Sequence, residues 1–337
     1  MTDINTKLEV FDAIASRRNE RRSFLRFAGG SALAIGGASL LSACGSDDED
    51  LAPTPTPGPT PTPALNDADV LNFALNLEYL EAQFYAFAAF GVGLNASLLT
   101  GTGTQGAVTG GAQVPFQDAV VREYAREIAI DEVAHVAFLR RALGNAAVAQ
   151  PAINISGGTA AAPGAFTAAA RAAGVIPATG VFNPYADDNS FLLGAFIFED
   201  VGVSAYKGAA PLISNPTYLE AAAGILAAEA YHAGLVRTVL YRKGLDVRNP
   251  TPALITGANQ ISNARDSLDG ASDIDQGITG TDATVSNIVP TDANGLAYSR
   301  STGQVLNIVY LNSAAVAMGG FFPAGVNGNI RTSAASA

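Results

Sequence analysis

The chain has 337 residues and a formal net charge of -11, and 48% of its residues are hydrophobic. This acidic balance argues against nucleic-acid binding, which depends on clustered Lys and Arg. One cysteine excludes both an intrachain disulfide and a thiolate metal cluster. The hydrophobic content is enough for one substantial core, so we expect one main domain with appended regions.

Residues 1–44 are predicted to be an export signal. The pair Arg21-Arg22 precedes an apolar, Gly/Ala-rich run over residues 27–43, which is typical of twin-arginine signals. The Leu-Ser-Ala-Cys sequence ending at Cys44 resembles a bacterial lipobox, in which the cysteine is lipidated. We therefore expect a protein anchored through Cys44 to the bacterial membrane, facing the periplasm or the cell exterior. A retained membrane span is the alternative, but spans need about 20 strongly apolar residues.

Residues 45–65 form a Pro/Thr-rich segment with an acidic start. Alternating Pro and Thr favour an extended polyproline-type backbone and cannot bury apolar surface. We expect a linker that holds the main domain away from the membrane.

The first predicted helix spans residues 67–90, with Asn66 as its N-cap and Gly91 just past its end. One face of this helix is apolar at helical spacing. Two carboxylates and one phenol interrupt that face: Glu78, Glu81 and Tyr85.

The second predicted helix spans residues 116–143, and its inner face is apolar except for Glu132 and His135. Residues three apart lie on the same face of a helix, so this Glu-x-x-His motif directs both groups to one point. The Ala/Gly/Pro-rich segment 145–189 follows, with a short helix predicted near 166–173. Its length suits a crossover that travels along a helix bundle.

The third predicted helix, residues 190–212, places Glu199 on its inner face directly after a Phe-Ile-Phe run, so we expect this carboxylate to be buried. The fourth, residues 216–243, repeats the Glu-x-x-His motif at Glu229 and His232. Both histidines of the chain therefore belong to such motifs.

An internal repeat links the four helices. The two Glu-x-x-His motifs are related by a constant offset of 97 residues. The first and third helices each contain a Glu followed seven residues later by Tyr, at Glu78/Tyr85 and Glu199/Tyr206. The pattern indicates two equivalent helix pairs and a site with pseudo-twofold symmetry.

Four carboxylates in an apolar interior repel one another and lose their hydration, so they need compensating charge. Two divalent cations would balance them, and a carboxylate and imidazole donor set suits iron. Four-helix bundles build dinuclear sites from such motifs. We predict two iron ions, with manganese or a mixed pair as alternatives. The predicted ligands are Glu78, Glu132, His135, Glu199, Glu229 and His232.

Three further residues are candidates for catalytic roles. Asp131 could orient an imidazole on the opposite helix by accepting its free N–H, whereas the equivalent position in the second motif is Ala228. Tyr85 is a candidate redox residue, although tyrosines such as Tyr85 and Tyr206 more often fill a core than do redox work. Glu81 could be a further ligand, a proton relay or a salt-bridge partner.

Residues 247–337 are rich in Gly, Asn, Asp, Ser and Thr, and their apolar patches are too sparse for an independent core. We expect a largely irregular extension packed along the bundle, with a short helix around residues 304–317. Its length suggests, as a hypothesis, a lid over the metal site.

Several motifs resemble the ferritin-like family that includes the plant desiccation-related proteins and their bacterial relatives. The segments are NFALNLEYLEAQFY at 72–85, EIAIDEVAHVAFL at 127–139 and FEDVGVSAY at 198–206, with tail segments at 261–270 and 307–323. The resemblance implies an all-α, ferritin-like four-helix bundle over residues 66–246, with a long crossover between helices two and three. It also implies a di-iron site but does not specify the reaction.

Three functional classes follow from these predictions. The first is a redox enzyme that reacts with O2 or peroxide in oxidative or desiccation stress. The second is an iron-binding protein, and the third is a structural stress protein with a vestigial or purely structural metal site. The sequence leaves a homo-oligomer open and does not specify an electron donor.

Overall fold

The computed structural model describes residues 65–336. The predicted export signal, including Cys44, and the linker up to residue 64 lie outside these described residues. Within them, no helix combines the length and apolar character that crossing a membrane requires.

Helices dominate the described part of the chain. The α-helices are α1 Asp67–Phe90, α2 Ala119–Leu143, α3 Ala165–Ala172, α4 Asp188–Ala209, α5 Pro216–Gly244, α6 Pro252–Asp269 and α7 Thr302–Tyr310. Short 3-10 turns lie at Ala96–Leu98, Gly144–Ala146 and Ala210–Leu212. A small parallel pair joins β1 Val108–Gly110 to β2 Ile153–Ile155, with Val108 opposite Ile153.

Helices α1, α2, α4 and α5 form the bundle, in which α1 packs chiefly on α2 and α4 chiefly on α5. Near the start of α1, Asn72 donates to the carbonyl of Ala146, just beyond the end of α2 (3.0 Å). The start of α4 lies beside the start of α2, because Gln117 N donates to Asp188 Oδ2 (3.0 Å). The intervening crossover therefore travels the length of the bundle, and the predicted all-α ferritin-like architecture is confirmed.

Side-chain caps define where the first helix begins and ends. Asn66 and Asp69 form a reciprocal capping box, with Asn66 N donating to Asp69 Oδ2 (3.0 Å) and Asp69 N donating to Asn66 Oδ1 (3.2 Å). Gly91 ends α1 with φ +74°, a conformation that glycine adopts without steric cost.

Aspartate caps shift two helix starts from their predicted positions. Asp118 accepts from Val120 N (2.9 Å), so α2 begins at Ala119 rather than at residue 116. Asp187 accepts from Ser190 N (2.8 Å), so α4 begins at Asp188, two residues earlier than predicted. Both shifts follow from the preference of Asp for the N-cap position.

An aromatic cluster joins the bundle, the crossover and the tail. Phe84 of α1 lies 5.2 Å from Phe166 of α3 and 5.6 Å from Phe198 of α4, measured between ring centroids. Phe321 of the tail packs edge-on against Phe166 (5.2 Å) and Phe198 (4.9 Å). The tail thus contributes directly to the core around the centre of the bundle.

The tail contains more helix than we predicted. Helix α6 packs on α4 and α5, and its buried residues recur at helical spacing at Leu254, Ala258, Ile261 and Arg265. Its Gly, Asn, Ser and Asp residues are weak helix formers, so tertiary packing stabilises this helix. Helix α7 ends at Tyr310, with Leu311 (φ +55°) as its C-cap, before the predicted end at residue 317.

A buried ion-pair network fastens the tail to the bundle. Asp200 of α4 accepts from Arg237 of α5 (2.7 Å) and from Arg265 of α6 (2.9 Å). Arg265 also pairs with Asp275 at 2.8 Å. The network continues from Asp275 to Arg300 (2.6 Å) and from Arg300 to Asp269 (2.6 Å). Removing one member of such a pair leaves an uncompensated buried charge, which costs about 3–5 kcal/mol.

Candidate metal centre

The bundle brings all the predicted ligands together at its centre. Helices α1 and α4 each contribute one carboxylate, and α2 and α5 each contribute one Glu-x-x-His motif. Each of the four carboxylate residues is at most 2% exposed. The residues are Glu78, Glu132, His135, Glu199, Glu229 and His232. Metal binding by these residues stays a prediction.

One group of potential ligands surrounds His135. Its Nδ1 lies 3.2 Å from Glu78 Oε2, 3.6 Å from Glu132 Oε2 and 3.6 Å from Glu229 Oε1. In this group, potential ligand atoms from all four residues lie within 4.8 Å of one another. They could therefore bind one cation in common.

A second group surrounds His232. Its Nδ1 lies 3.1 Å from Glu132 Oε1 and 4.0 Å from Glu199 Oε2. Ligand atoms of Glu199, Glu229 and His232 again lie within 4.8 Å of one another. Glu229 belongs to both groups, and the two oxygens of Glu132 face different imidazoles. The arrangement thus offers two neighbouring positions with shared carboxylates between them.

Seven donor atoms of the cluster are buried without a hydrogen-bond partner among the described residues. They are Glu78 Oε2, both oxygens of Glu132, Glu199 Oε2, Glu229 Oε2, and Nδ1 of His135 and His232. Buried polar atoms without partners are costly, and cations would satisfy convergent oxygen and nitrogen atoms of this kind. The residues present therefore fit a metal-binding role.

Burial and mutual charge perturb the ionisation of the cluster. Burial raises the pKa of Glu78 to about 8. Burial also acts to raise the pKa of Glu132, but charge interactions with His135 and His232 outweigh it and hold that pKa below its usual range. Burial acts to lower the pKa of His232, but the carboxylates of Asp131 and Glu132, 3.4 and 3.1 Å from its ring nitrogens, raise it to about 11. Without metal, the cluster therefore holds protons that a cation must displace.

Two tyrosines connect the helix pairs across the cluster. Tyr85 of α1 donates a hydrogen bond to Glu199 of α4, and Tyr206 of α4 donates one to Glu78 of α1. Each phenol therefore orients a carboxylate of the opposite helix pair. We predicted a catalytic role for Tyr85 alone, although the shared Glu-x6-Tyr spacing also marks Tyr206.

Asp131 makes the two halves of the cluster different. Its Oδ2 lies 3.4 Å from Nε2 of His232, on the side of the ring away from the other carboxylates. Ala228 occupies the equivalent position in the second motif and offers no carboxylate to His135. The structure thus places Asp131 beside an imidazole of the opposite helix, where the sequence suggested it.

Glu81 lies next to the cluster but belongs to neither ligand group. It is buried, and its Oε2 has no hydrogen-bond partner within residues 65–336. Gly202 of α4 provides space beside it, because an added Cβ would lie 2.6 Å from Glu229 Oε2 and 3.5 Å from Glu81 Oε1. Sequence reasoning missed Gly202, although a glycine three residues after Glu199 inside a helix is a signal of close packing.

A four-helix bundle with a central carboxylate and histidine cluster defines a ferritin-like protein with a candidate metal centre. The ferritin-like domain family matches residues 66–242, more than half of the chain, and the chain belongs to this family. The family resemblance in the sequence motifs is therefore confirmed.

Two named proteins are similar to this chain over most of their length. Ferritin-like catalase Nec2 of Nesocodon mauritianus is 29% identical over 273 residues, which cover 78% of this chain and 84% of that protein. Desiccation-related protein PCC13-62 of Craterostigma plantagineum is 29% identical over 248 residues, covering 72% and 76% respectively. No solved structure matches the chain significantly.

Proposed function

We propose that this chain is a di-iron oxidoreductase that decomposes hydrogen peroxide as part of oxidative or desiccation stress protection. The cluster of convergent, partnerless donor atoms in two overlapping groups is the observation on which this proposal depends. Similarity to a protein named ferritin-like catalase, over 84% of that protein, favours peroxide as the substrate. Iron suits this mixture of carboxylate and imidazole donors, and manganese is the alternative.

The proposed reaction needs no external electron donor. One peroxide molecule gives up two electrons and two protons and becomes O2. A second peroxide molecule accepts the same electrons and protons, its O–O bond breaks, and two water molecules form. A bound pair of redox metals supplies the capacity to hold two electrons between these half-reactions.

The side chains of the cluster have distinct roles in this proposal. Glu132 and Glu229 would hold the metals together with the two histidines, and Tyr85 and Tyr206 orient the remaining carboxylates, Glu199 and Glu78. Glu81 is suited to hold a proton at Oε2 between the half-reactions, since burial raises its pKa well above the usual range. The surrounding core limits access of water to these groups.

A structural stress protein that binds metal without turnover is the second candidate. Similarity to a protein named for desiccation, which specifies no reaction, favours this possibility. The two candidates differ in what loss of a ligand does. If the protein is structural, stress protection is retained when a ligand is removed. If it is an enzyme, stress protection is lost.

Metal content and peroxide turnover of Glu132→Gln test the proposal, with Glu123→Gln on the exposed face of α2 as the control. We expect about two iron ions per chain and oxygen release from peroxide in the wild type and the control. Glu132→Gln should lose most of the bound iron and most of the oxygen release. Iron-free wild-type protein from its own host, or full turnover by Glu132→Gln, would contradict the proposal.

We also propose that the chain is exported by the twin-arginine route and lipid-anchored at Cys44, on the basis of its sequence motifs. Membrane fractionation tests the anchor. Cys44→Ser should release the protein from the membrane, and replacing Arg21 and Arg22 by Lys should retain it in the cytoplasm. An unchanged distribution in both variants would refute the assignment.

A further inference from the structure

A small cavity lies beside Glu81, between α1, α4 and the tail. It has a volume of about 10 Å³, which accommodates roughly one water-sized molecule. Its walls are mainly hydrocarbon, contributed by residues such as Leu80, Val201 and Phe321. Glu81 is its acidic group, and we call this space the inner cavity.

A larger groove lies outside the inner cavity, between α3, α6 and α7. It has a volume of about 150 Å³, is partly open to solvent and is lined largely by alkyl groups, including Leu268 and Leu311. Ile197 and Ile308 line both this outer groove and the inner cavity. These two side chains therefore form the wall between the two spaces.

The inner cavity adjoins the candidate metal centre through Glu81 and Gly202, on the side of the bundle without histidines. The imidazoles come from α2 and α5, whereas Glu81 and Gly202 come from α1 and α4. Gly202 lines the inner cavity, and a Cβ at this position would lie 2.6 Å from Glu229 Oε2. Gly202 therefore separates the inner cavity from the carboxylate of Glu229 by backbone alone.

We propose that the outer groove and the inner cavity form a passage for dioxygen between solvent and the metal centre, with Ile197 and Ile308 as its constriction. This inference rests on the proposed function, in which O2 is the product. Dioxygen is small, uncharged and apolar, so it needs no hydrogen bonds from the alkyl walls. Water and peroxide would lose hydrogen bonds along the same route.

Paramagnetic relaxation by dissolved O2 tests the passage on the full chain, incubated with Zn(II), which is diamagnetic and does not react with O2. Methyl NMR measures how strongly O2 reaches each side chain. We expect a severalfold larger O2 effect on Leu80 and Val201, in the inner cavity, than on Val136 and Leu139, which are equally buried in α2. Equal effects at the two pairs would overturn the proposal.

Substitutions at the constriction should change the O2 effect in opposite directions, depending on the size of the new side chain. Ile308→Phe should reduce the O2 effect on Leu80 and Val201, and Ile308→Ala should increase it. Ile255→Phe and Ile255→Ala are matched controls, since Ile255 is also buried but lines neither space. The passage is refuted if the Ile308 and Ile255 variants change the O2 effect alike. It is also refuted if Ile308→Phe does not fold and Ile308→Ala gives no increase in the O2 effect. Because no turnover is measured, this outcome is independent of peroxide decomposition.

Discussion

The phenol of Tyr85 donates a hydrogen bond to the carboxylate of Glu199, which lies 114 residues further along the chain and on the other helix pair. Tyr206 and Glu78 repeat the same relationship in the opposite direction. A carboxylate that is held at one oxygen presents its other oxygen in a defined direction. In both glutamates that other oxygen, Oε2, has no hydrogen-bond partner among the described residues and is free to bind a metal in the proposed site.

Tyr85→Phe should weaken metal binding by about 10- to 100-fold, because partners that orient metal ligands have effects of this size. Isothermal titration with Fe(II) under anaerobic conditions measures the change. Tyr185→Phe is the control, since this buried phenol donates to the backbone carbonyl of Ile155 (3.1 Å) rather than to a predicted ligand. A similar loss of affinity in both variants would indicate a general packing effect instead.

Gly202→Ala should lower metal affinity by about tenfold or more while leaving the fold intact. The new methyl group meets Glu229 Oε2, the mobile end of a side chain, so the ligand moves and the backbone does not. Gly224→Ala in α5 is the matched control, because nothing lies within 4 Å of its added Cβ. It should bind metal normally and gain up to about 1 kcal/mol of stability from helix propensity. Normal metal affinity in Gly202→Ala would show that the glycine has no role at the site.

Asp131→Asn should weaken one metal position more than the other. Asp131 lies 3.4 Å from the imidazole of His232, whereas the equivalent position in the second motif is Ala228, which has no carboxylate. We expect about a tenfold loss at one of two binding steps in a calorimetric titration. Equal losses at both steps would contradict the asymmetry.

Metal affinity should fall as the pH is lowered. The pKa of Glu78 is raised to about 8 and that of His232 to about 11 in the metal-free cluster, so both groups hold protons at neutral pH. A cation must displace these protons, and the equilibrium becomes less favourable as their concentration rises. Calorimetry in buffers of different ionisation enthalpy should detect net proton release on metal binding. Binding without proton release would count against this ionisation pattern.

Asp275→Asn should destabilise the fold by about 3–5 kcal/mol at neutral pH, because it breaks buried pairs with Arg265 and Arg300. Burial acts to raise the pKa of Asp275, but the two guanidinium groups outweigh it and hold that pKa below its usual value. Its stabilising contribution is therefore present above about pH 4, the unfolded-state value, and is lost as the pH falls through the folded-state pKa.

Urea unfolding at several pH values measures this effect, with Asp282→Asn at the exposed surface as the control. The variant Asp275→Asn should lose less stability than the wild type when the pH is lowered below 4, since it lacks the titrating group. The same acid sensitivity in both proteins would assign acid unfolding to other carboxylates.

The bundle and the central cluster of Glu and His side chains could be predicted because few residues had to be placed. The chain has two histidines, and each lies three residues after a glutamate on an otherwise apolar helix face. Helical periodicity then placed Glu78 and Glu199 on the remaining inner faces, and the structure brings both to the centre.

Features that depend on tertiary contacts could not be predicted in the same way. Helix α6 is rich in weak helix formers and is stabilised by packing on α4 and α5, so its sequence resembles a loop. The crossed pairing of Tyr85 with Glu199 depends on how the two helix pairs face each other. Sequence spacing within one helix contains no information about that orientation.

The shared carboxylates have a consequence for the folding equilibrium. Glu132 comes from the first helix pair and Glu229 from the second, yet a cation beside either imidazole would contact donors from both pairs. Bound metal would therefore act as a crosslink between two distant parts of the chain and would stabilise their docking by mass action. The free cation concentration would then determine how stable the packing between the two helix pairs is.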